Sequence, residues 1–175
     1  MDPWAVIFDF DGTLIESNGV KDAAFRQIFA DSPHLETIMA YHQAHNHVVR
    51  YDNFRHIVEE IVGETYDAAR AASLSAAFGA AVFTGLTTCP MVRGTDAMLA
   101  ALRAQGAGLH LVSFSPDHEL HAVLAARGWD DVFDSVSGAS RPKHAHIAAI
   151  LERFGVGAAN AIYVGDTEED QAAAA

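Results

Sequence analysis

This sequence has few of the features that assign a chain to a specialised class. Its single cysteine, Cys89, excludes an internal disulfide and favours a reducing compartment such as the cytoplasm. The 11 Lys and Arg residues are scattered and outnumbered by 23 Asp and Glu, so a nucleic-acid-binding face is not expected. We expect no membrane span, because we find no apolar run of about 18 residues without a charge. Asp2 leads directly into a strand pattern, so we expect no signal peptide.

The composition is hydrophobic enough to form a sizeable buried core. Half of the 175 residues are hydrophobic, which suits one domain or one domain carrying an insertion. The net charge of −12 would repel an anionic substrate. An acidic protein that acts on an anionic substrate needs a local positive centre, and a metal ion is the simplest one. Nothing in the sequence indicates an oligomeric state.

Short apolar runs and helical patterns alternate through much of the chain. The apolar runs, which predict buried parallel strands, are 4–10, 109–113, 132–136 and 161–164. Helical patterns with apolar residues on one face separate the later runs, at 95–105, 116–127 and 143–154. Such alternation predicts an α/β fold with a Rossmann-like, doubly wound parallel sheet.

The alternation of strands and helices is interrupted between the first and second predicted strands. Four helical patterns and no convincing strand occur there, at 23–29, 37–49, 53–62 and 66–83. The sequence therefore predicts a sheet-containing core of residues 1–16 and 90–175, with a helical cap of residues 17–89. A sheet of this kind usually continues past its fourth strand to another edge strand, so we expect the natural chain to extend beyond Ala175.

Acidic residues follow two of the predicted strands. Asp9 and Asp11 end the first run, and Asp166 and Asp170 follow the fourth. Ligands of doubly wound sheets bind beyond the carboxyl ends of the strands, so the four carboxylates converge if these strands are neighbours. Carboxylates, water and a phosphate oxygen make a suitable Mg²⁺ site, and the ion would offset the repulsion between Asp9 and Asp11.

Four motifs, in this order, make the sequence similar to the haloacid dehalogenase-like superfamily, in its phosphatase branch with a helical cap. They are DFDGTL, LHLVS, RPKHAHI and YVGDTEED. The first and fourth are highly specific, and the order and spacing support the other two. The resemblance covers essentially the whole chain. It implies the same fold and a magnesium-dependent phosphate chemistry.

The resemblance also implies roles for the acidic residues. Asp9 would attack phosphorus and form an aspartyl-phosphate, and Asp11 would protonate the leaving alcohol and then activate water. Mg²⁺ would be held by Asp9, Asp166 and the backbone carbonyl of Asp11. Asp170 would bind the ion through water or orient the other ligands.

Further residues of the motifs would bind the substrate. Ser113 and Lys143 would hydrogen-bond the phosphoryl oxygens and stabilise the transition state. Phe10, Gly12 and Thr13 belong to the same implied set: Thr13 would hold the loop after the nucleophile, and Gly12 would let the backbone turn. Two alternatives stay open. Ser115 competes with Ser113, although it could instead cap the helix that opens at Pro116, and Arg141 competes with Lys143.

The predicted function is the Mg²⁺-dependent hydrolysis of a small phosphate monoester, with a small phosphorylated metabolite as partner and no nucleic acid or membrane. Asp11 favours this reaction over dehalogenation, which needs only the nucleophile. A sugar phosphomutase of the same superfamily and a non-catalytic phosphate-binding protein are the alternatives.

Two other features are interpreted as structural: the histidines 42, 45 and 47 do not share one helical face, and Cys89 is a packed small hydrophobe.

Overall fold

Four parallel strands form one sheet within the described part of the chain. The computed structural model describes residues 3–45 and 50–175. The strands are β1 (Ala5–Phe8), β2 (Gly108–Val112), β3 (Ser135–Ser137) and β4 (Ala161–Val164). Their order in the sheet is β3-β2-β1-β4, and all pairs are parallel. The predicted α/β, Rossmann-like fold class is therefore confirmed.

The central strand β1 positions the acidic residues. All four of its residues are buried, as expected for an apolar strand with neighbours on both sides. Phe8 is paired with Leu111 of β2 and with Val164 of β4, so the three strands end together at one edge of the sheet. The strands that precede Asp9 and Asp166 are direct neighbours, which is the condition that the sequence left open.

Among the described residues, seven α-helices and a π-helix lie between β1 and β4 along the chain, and an eighth α-helix follows β4. The α-helices are α1 (Val20–Ile28), α2 (Leu35–Ala44), α3 (Arg50–His56), α4 (Ala68–Thr88), α5 (Thr95–Ala104), α6 (Asp117–Ala126), α7 (Lys143–Phe154) and α8 (Glu168–Ala174). The π-helix Ile57–Val62 continues α3, where the sequence predicted regular helix, and Gly63 ends it at a φ of 77°.

The chain divides into two compact units. One comprises Met1–Asn18 with Thr87–Ala175, and the other is Gly19–Leu86. The sequence placed the boundaries between residues 16 and 17 and between 89 and 90. The first unit contains the whole sheet, with Ile7, Val112 and Ile150 forming a buried cluster.

The second unit is helical throughout its described residues. Phe25 is the centre of its core: the ring lies 5.3 Å from Phe54, 5.0 Å from Phe78 and 3.8 Å from the ring of His42. His42 Nε2 is 2.9 Å from Asp22, whereas His45 Nδ1 contacts the Tyr41 carbonyl oxygen. The two histidines therefore have separate partners, and the third of the predicted structural set, His47, lies outside the described residues.

Helix α4 is longer and more uniformly apolar than the sequence analysis expected for any helix of this chain. By length and composition alone it could cross a membrane, and it is the one helix among the described residues that meets this test. The expectation that no apolar run of about 18 residues is free of charge was wrong, because residues 71–88 of this helix contain no charged side chain. Ser, Gly and Thr interrupt the run but carry no charge. A stripe of α4 spaced by four residues is buried: Leu74, Phe78, Val82 and Leu86.

Strand β3 begins three residues later than predicted. The Asp134 carboxylate accepts hydrogen bonds from the Leu109 backbone N–H at 2.8 Å and from Arg103 at 2.7 Å. This acid anchors the chain beside the start of β2, and strand pairing begins only at Ser135. The apolar residues Val132 and Phe133 predicted a strand, but they precede the residues of β3 that pair with β2.

Candidate active site

A buried lysine joins two carboxylates beyond the end of β1. Asp9 directly follows the strand, and its backbone N–H donates to the Val164 carbonyl at 2.8 Å. Lys143 begins α7, and its Nζ lies 2.6 Å from Asp9 Oδ1 and 2.6 Å from Asp170 Oδ1. All three side chains are buried. Residues from both ends of the chain therefore meet in one charged cluster.

Asp170 is held by four hydrogen bonds. Its Oδ1 accepts from Lys143 and from the Tyr163 hydroxyl at 2.8 Å, and its Oδ2 accepts from the Thr167 N–H at 3.1 Å and the Thr167 hydroxyl at 2.6 Å. Thr167 Oγ1 accepts from the Asp170 N–H in return, which forms a capping box at the start of α8. With both oxygens engaged, Asp170 fits the orienting role better than direct metal ligation.

Three carboxylates of the described chain could surround a cation. Asp9, Asp166 and Asp170 each offer one oxygen, and these oxygens lie within 4.8 Å of one another. Oxygens on opposite sides of an octahedral Mg²⁺ are about 4 Å apart, so a small side-chain rotation would suffice. Asp166 is exposed, unlike the other two, and is the one most open to an incoming ion. The donor set is all oxygen, which fits Mg²⁺.

The cluster shifts the acidities of its members. Burial raises the pKa of Asp9 to about 6, although Lys143 acts in the opposite direction. For Asp170, burial alone would raise the pKa, but the hydrogen bonds from Lys143, Thr167 and Tyr163 outweigh it and lower the pKa. For Lys143, burial is likewise outweighed: the hydrogen bonds to Asp170 and Asp9 raise its pKa, so it remains charged.

Asp11 lies beside the serines that follow β2. The Ser115 hydroxyl is 3.4 Å from Asp11 Oδ2. Ser113 is buried, and its hydroxyl oxygen accepts the Ser115 N–H at 3.0 Å. Ser115 does not cap α6: Pro116 occupies the N-cap position, and no side chain caps the helix. Both serines are thus near the predicted reaction centre, and they have different partners.

The loop after Asp9 is tied to Asp166. The Thr13 hydroxyl lies 3.4 Å from Asp166 Oδ1, in keeping with its predicted role in holding the loop. Gly12 has a φ of 74°, and a side chain there would overlap the Asp166 carboxylate. The side chain of Phe10 is fully buried, with its ring 6.4 Å from that of Trp129. Of the predicted substrate-binding residues, Phe10 can therefore contribute only its backbone.

The structure separates the two candidate cations. Lys143 lies at Asp9, whereas Arg141 lines a different cavity, beside β3 and α7. Sequence alone could not make this distinction, since the two residues are only two positions apart. Lys143 is the first residue of α7, which directs its side chain toward the end of β1.

Sequence reasoning missed Tyr163, Thr167 and Phe114. Tyr163 and Thr167 donate to Asp170, as described above. The Phe114 ring lies 4.5 Å from Lys143 Nζ and is 54% exposed. A signal existed for Phe114, because an aromatic residue between two serines in a loop is unusual. None existed for Tyr163, which fits an ordinary buried-strand pattern.

Comparisons with known proteins identify the family of the chain. A family model described as haloacid dehalogenase-like hydrolase matches residues 5–175. The chain is 30% identical to a phosphoglycolate phosphatase of Rhodospirillum rubrum, over 98% of this chain and 75% of the relative. It is 28% identical to a phosphoglycolate phosphatase of Psychrobacter arcticus, over 97% and 78%. A crystal structure of a predicted phosphoglycolate phosphatase from Haemophilus somnus superposes with a TM-score of 0.76 at 20% identity, over 99% and 81%.

Proposed function

We propose a specific reaction for this chain, which belongs to the haloacid dehalogenase-like hydrolase family. The reaction is the Mg²⁺-dependent hydrolysis of a small phosphate monoester through an aspartyl-phosphate on Asp9. Two relatives named as phosphoglycolate phosphatases support a phosphatase, and 2-phosphoglycolate is therefore the first substrate to test. The observation that carries the proposal is the meeting of Asp9, Lys143 and Asp170 beside Asp166.

The nucleophile is held in place by its neighbours. Lys143 binds one oxygen of Asp9 at 2.6 Å and fixes the carboxylate, so the other oxygen can approach phosphorus without reorganisation. The Lys143 charge also stabilises the charge that develops on the transferring phosphoryl oxygens. Attack by Asp9 breaks the bond from phosphorus to the ester oxygen and forms the acyl phosphate.

Asp11 is the acid–base group in this proposal. It gives a proton to the departing alkoxide and later accepts one from the water that hydrolyses the acyl phosphate. The Ser115 hydroxyl, at 3.4 Å, helps to keep its carboxyl oriented. Mg²⁺, held by Asp9, Asp166 and the Asp11 carbonyl, would neutralise phosphoryl charge when bound. Asp170 and its donors keep Lys143 aligned.

The remaining features of the proposal follow from charge and composition. A small phosphorylated metabolite is the substrate class, and we propose no nucleic-acid or membrane partner for a chain with a net charge of −12. We place the reaction in the cytoplasm, where the single cysteine would remain reduced. Substrate choice is assigned to the helical unit Gly19–Leu86, which shares no residue with the charged cluster.

The test is release of inorganic phosphate from 2-phosphoglycolate and from an aryl phosphate, with Mg²⁺ and with EDTA. We expect activity only with Mg²⁺, and a loss of at least about 1,000-fold in Asp9→Asn. Asp131→Asn, which removes an exposed acid of the same unit, is the matched control and should retain activity. Turnover that survives EDTA or Asp9→Asn would overturn the mechanism.

The same assay separates the alternatives. A sugar phosphomutase would isomerise a sugar phosphate with little phosphate release. A non-catalytic phosphate-binding protein would bind a Mg²⁺–fluoride mimic of the phosphoryl group but release no phosphate from any substrate.

A further inference from the structure

A second polar cavity lies in the sheet-containing unit, away from the carboxylate cluster. It has a volume of about 360 Å³ and runs along the edge strand β3 and helix α7. None of Asp9, Asp11, Ser113, Lys143 and Asp166 lines it. Its size falls within the range of small-molecule sites, and hydroxyl and guanidinium groups make up much of its wall.

The cavity contains two arginines that form no ion pair within the described part of the chain. Arg141 and Arg153 are exposed at the cavity and, like Arg93, form no ion pair within the described ranges 3–45 and 50–175. The chain has 23 acidic and only 11 basic residues. Two guanidinium groups on one cavity, without acidic partners in such a protein, indicate an anionic ligand.

Hydroxyl groups also line the cavity. Ser135 and Ser137 of β3 and Ser140 of the following loop all line the cavity. Ser135 Oγ is 2.8 Å from Nδ1 of His110, its fully buried register partner on the neighbouring strand β2. When the imidazole carries its proton on Nδ1, Ser135 accepts that bond, and its own hydroxyl proton can be donated into the cavity.

One acidic residue also lines the cavity, and its charge is partly compensated. Asp117 begins α6, where the helix dipole favours a negative charge. Its Oδ1 accepts the Gly138 N–H at 2.7 Å. Besides the imidazole of His146, the cavity wall therefore carries two guanidinium groups against one carboxylate, and that carboxylate already accepts a hydrogen bond.

We propose that this cavity binds the phosphate group of a small phosphorylated molecule, outside the reaction centre. Arginine guanidinium groups and hydroxyls are the donors that bind phosphate oxygens. The cavity has room for an organic remainder next to the phosphate. Inorganic phosphate shares this chemistry, and the experiment distinguishes the two sources. The site goes beyond the proposed function, because it uses neither Asp9 nor the carboxylate cluster.

The experiment is an NMR titration of the full chain in EDTA, with inorganic phosphate in one arm and propylphosphonate, a stable stand-in for a phosphate monoester, in the other. We expect the phosphonate to shift the backbone signals of Ser135–Ser137 and the side-chain Nε–H signals of Arg141 and Arg153. Tighter binding of inorganic phosphate at these residues would instead identify the free ion as the ligand.

The matched variants are Arg153→Met and Arg93→Met, which each remove one positive charge from the same unit. Arg153→Met should weaken phosphonate binding at the cavity by roughly tenfold or more, and Arg93→Met should leave it within about twofold. Shifts confined to Asp9–Gly12 and Ser113, unchanged by Arg153→Met, would place the anion at the reaction centre alone and overturn the proposal. Because this readout is binding without Mg²⁺ or turnover, its failure leaves the proposed phosphatase reaction intact.

Discussion

At the scale of single residues, the proposed reaction needs Asp9 to be ionised, whereas the stability of the fold favours its protonated form. Its carboxyl is buried and its pKa is raised to about 6 from the ordinary 3.8. A raised pKa means that the folded state disfavours the ionised form. The stability that this group provides is full below pH 3.8 and is lost as the pH rises through about 6. At neutral pH without metal, Asp9 is therefore a destabilising residue.

Asp9→Asn should stabilise the metal-free protein while it abolishes activity. At pH 8 in EDTA we expect the free energy of unfolding to rise by roughly 1–3 kcal/mol, and at pH 3.5 the gain should vanish. Urea denaturation at both pH values measures this, with Asp131→Asn as the control. A variant less stable than the native chain at pH 8 would show that the Lys143 ion pair outweighs the cost of burial.

Tyr163 is a positioning residue that acts through Asp170. Removing its hydroxyl in Tyr163→Phe takes away one of the four donors to that carboxylate and should lower kcat about fivefold with little change in KM. Tyr66→Phe is the matched control, because the Tyr66 hydroxyl is buried without a hydrogen-bond partner among the described residues. Equal kcat values for Tyr163→Phe and the native enzyme would exclude the positioning role.

At the scale of elements, the loop after β1 is shaped by a glycine. Gly12→Ala forces a residue with a side chain into a positive φ and into overlap with Asp166. Gly94→Ala has the same backbone cost, at a φ of 96°, with no atom nearby. We expect Gly94→Ala to cost about 1 kcal/mol of stability and to keep its activity, and Gly12→Ala to lose activity by more than tenfold. Thermal unfolding and phosphate release measure the two effects, and equal activities would contradict the overlap.

Elements with clear boundary signals could be predicted from the sequence. Strand β4 and helix α7 occupy the predicted residues, because Gly165 follows the strand while Pro142 and Gly155 flank the helix. Strand β3 was misplaced because its start depends on the Asp134 hydrogen bonds, which join distant parts of the chain. Sequence analysis missed Tyr163 for the same reason, because its contact with Asp170 depends on the packing of β4 against α8.

At the scale of the whole molecule, metal binding should be coupled to stability. Because Asp9 is costly when unliganded, Mg²⁺ that binds the folded state should raise the melting temperature in a concentration-dependent manner. At 100 times the dissociation constant the expected gain is about 2.7 kcal/mol. Asp166→Asn should remove most of this shift, and Asp131→Asn should preserve it. Calorimetry with Mg²⁺ and with EDTA tests this, and an unchanged shift in Asp166→Asn would exclude that residue as a ligand.

The long spacing within the charged cluster has a consequence for how the protein becomes active in a cell. Lys143 binds Asp9 across 134 residues, and Asp170 lies further still along the chain. The helical unit depends on local contacts and can collapse early during synthesis, whereas β1 must await partners made much later. We therefore expect a ribosome-bound chain to carry Asp9 without its partners until β4 and α8 have been synthesised, and the charged cluster to form only when β4 pairs with β1.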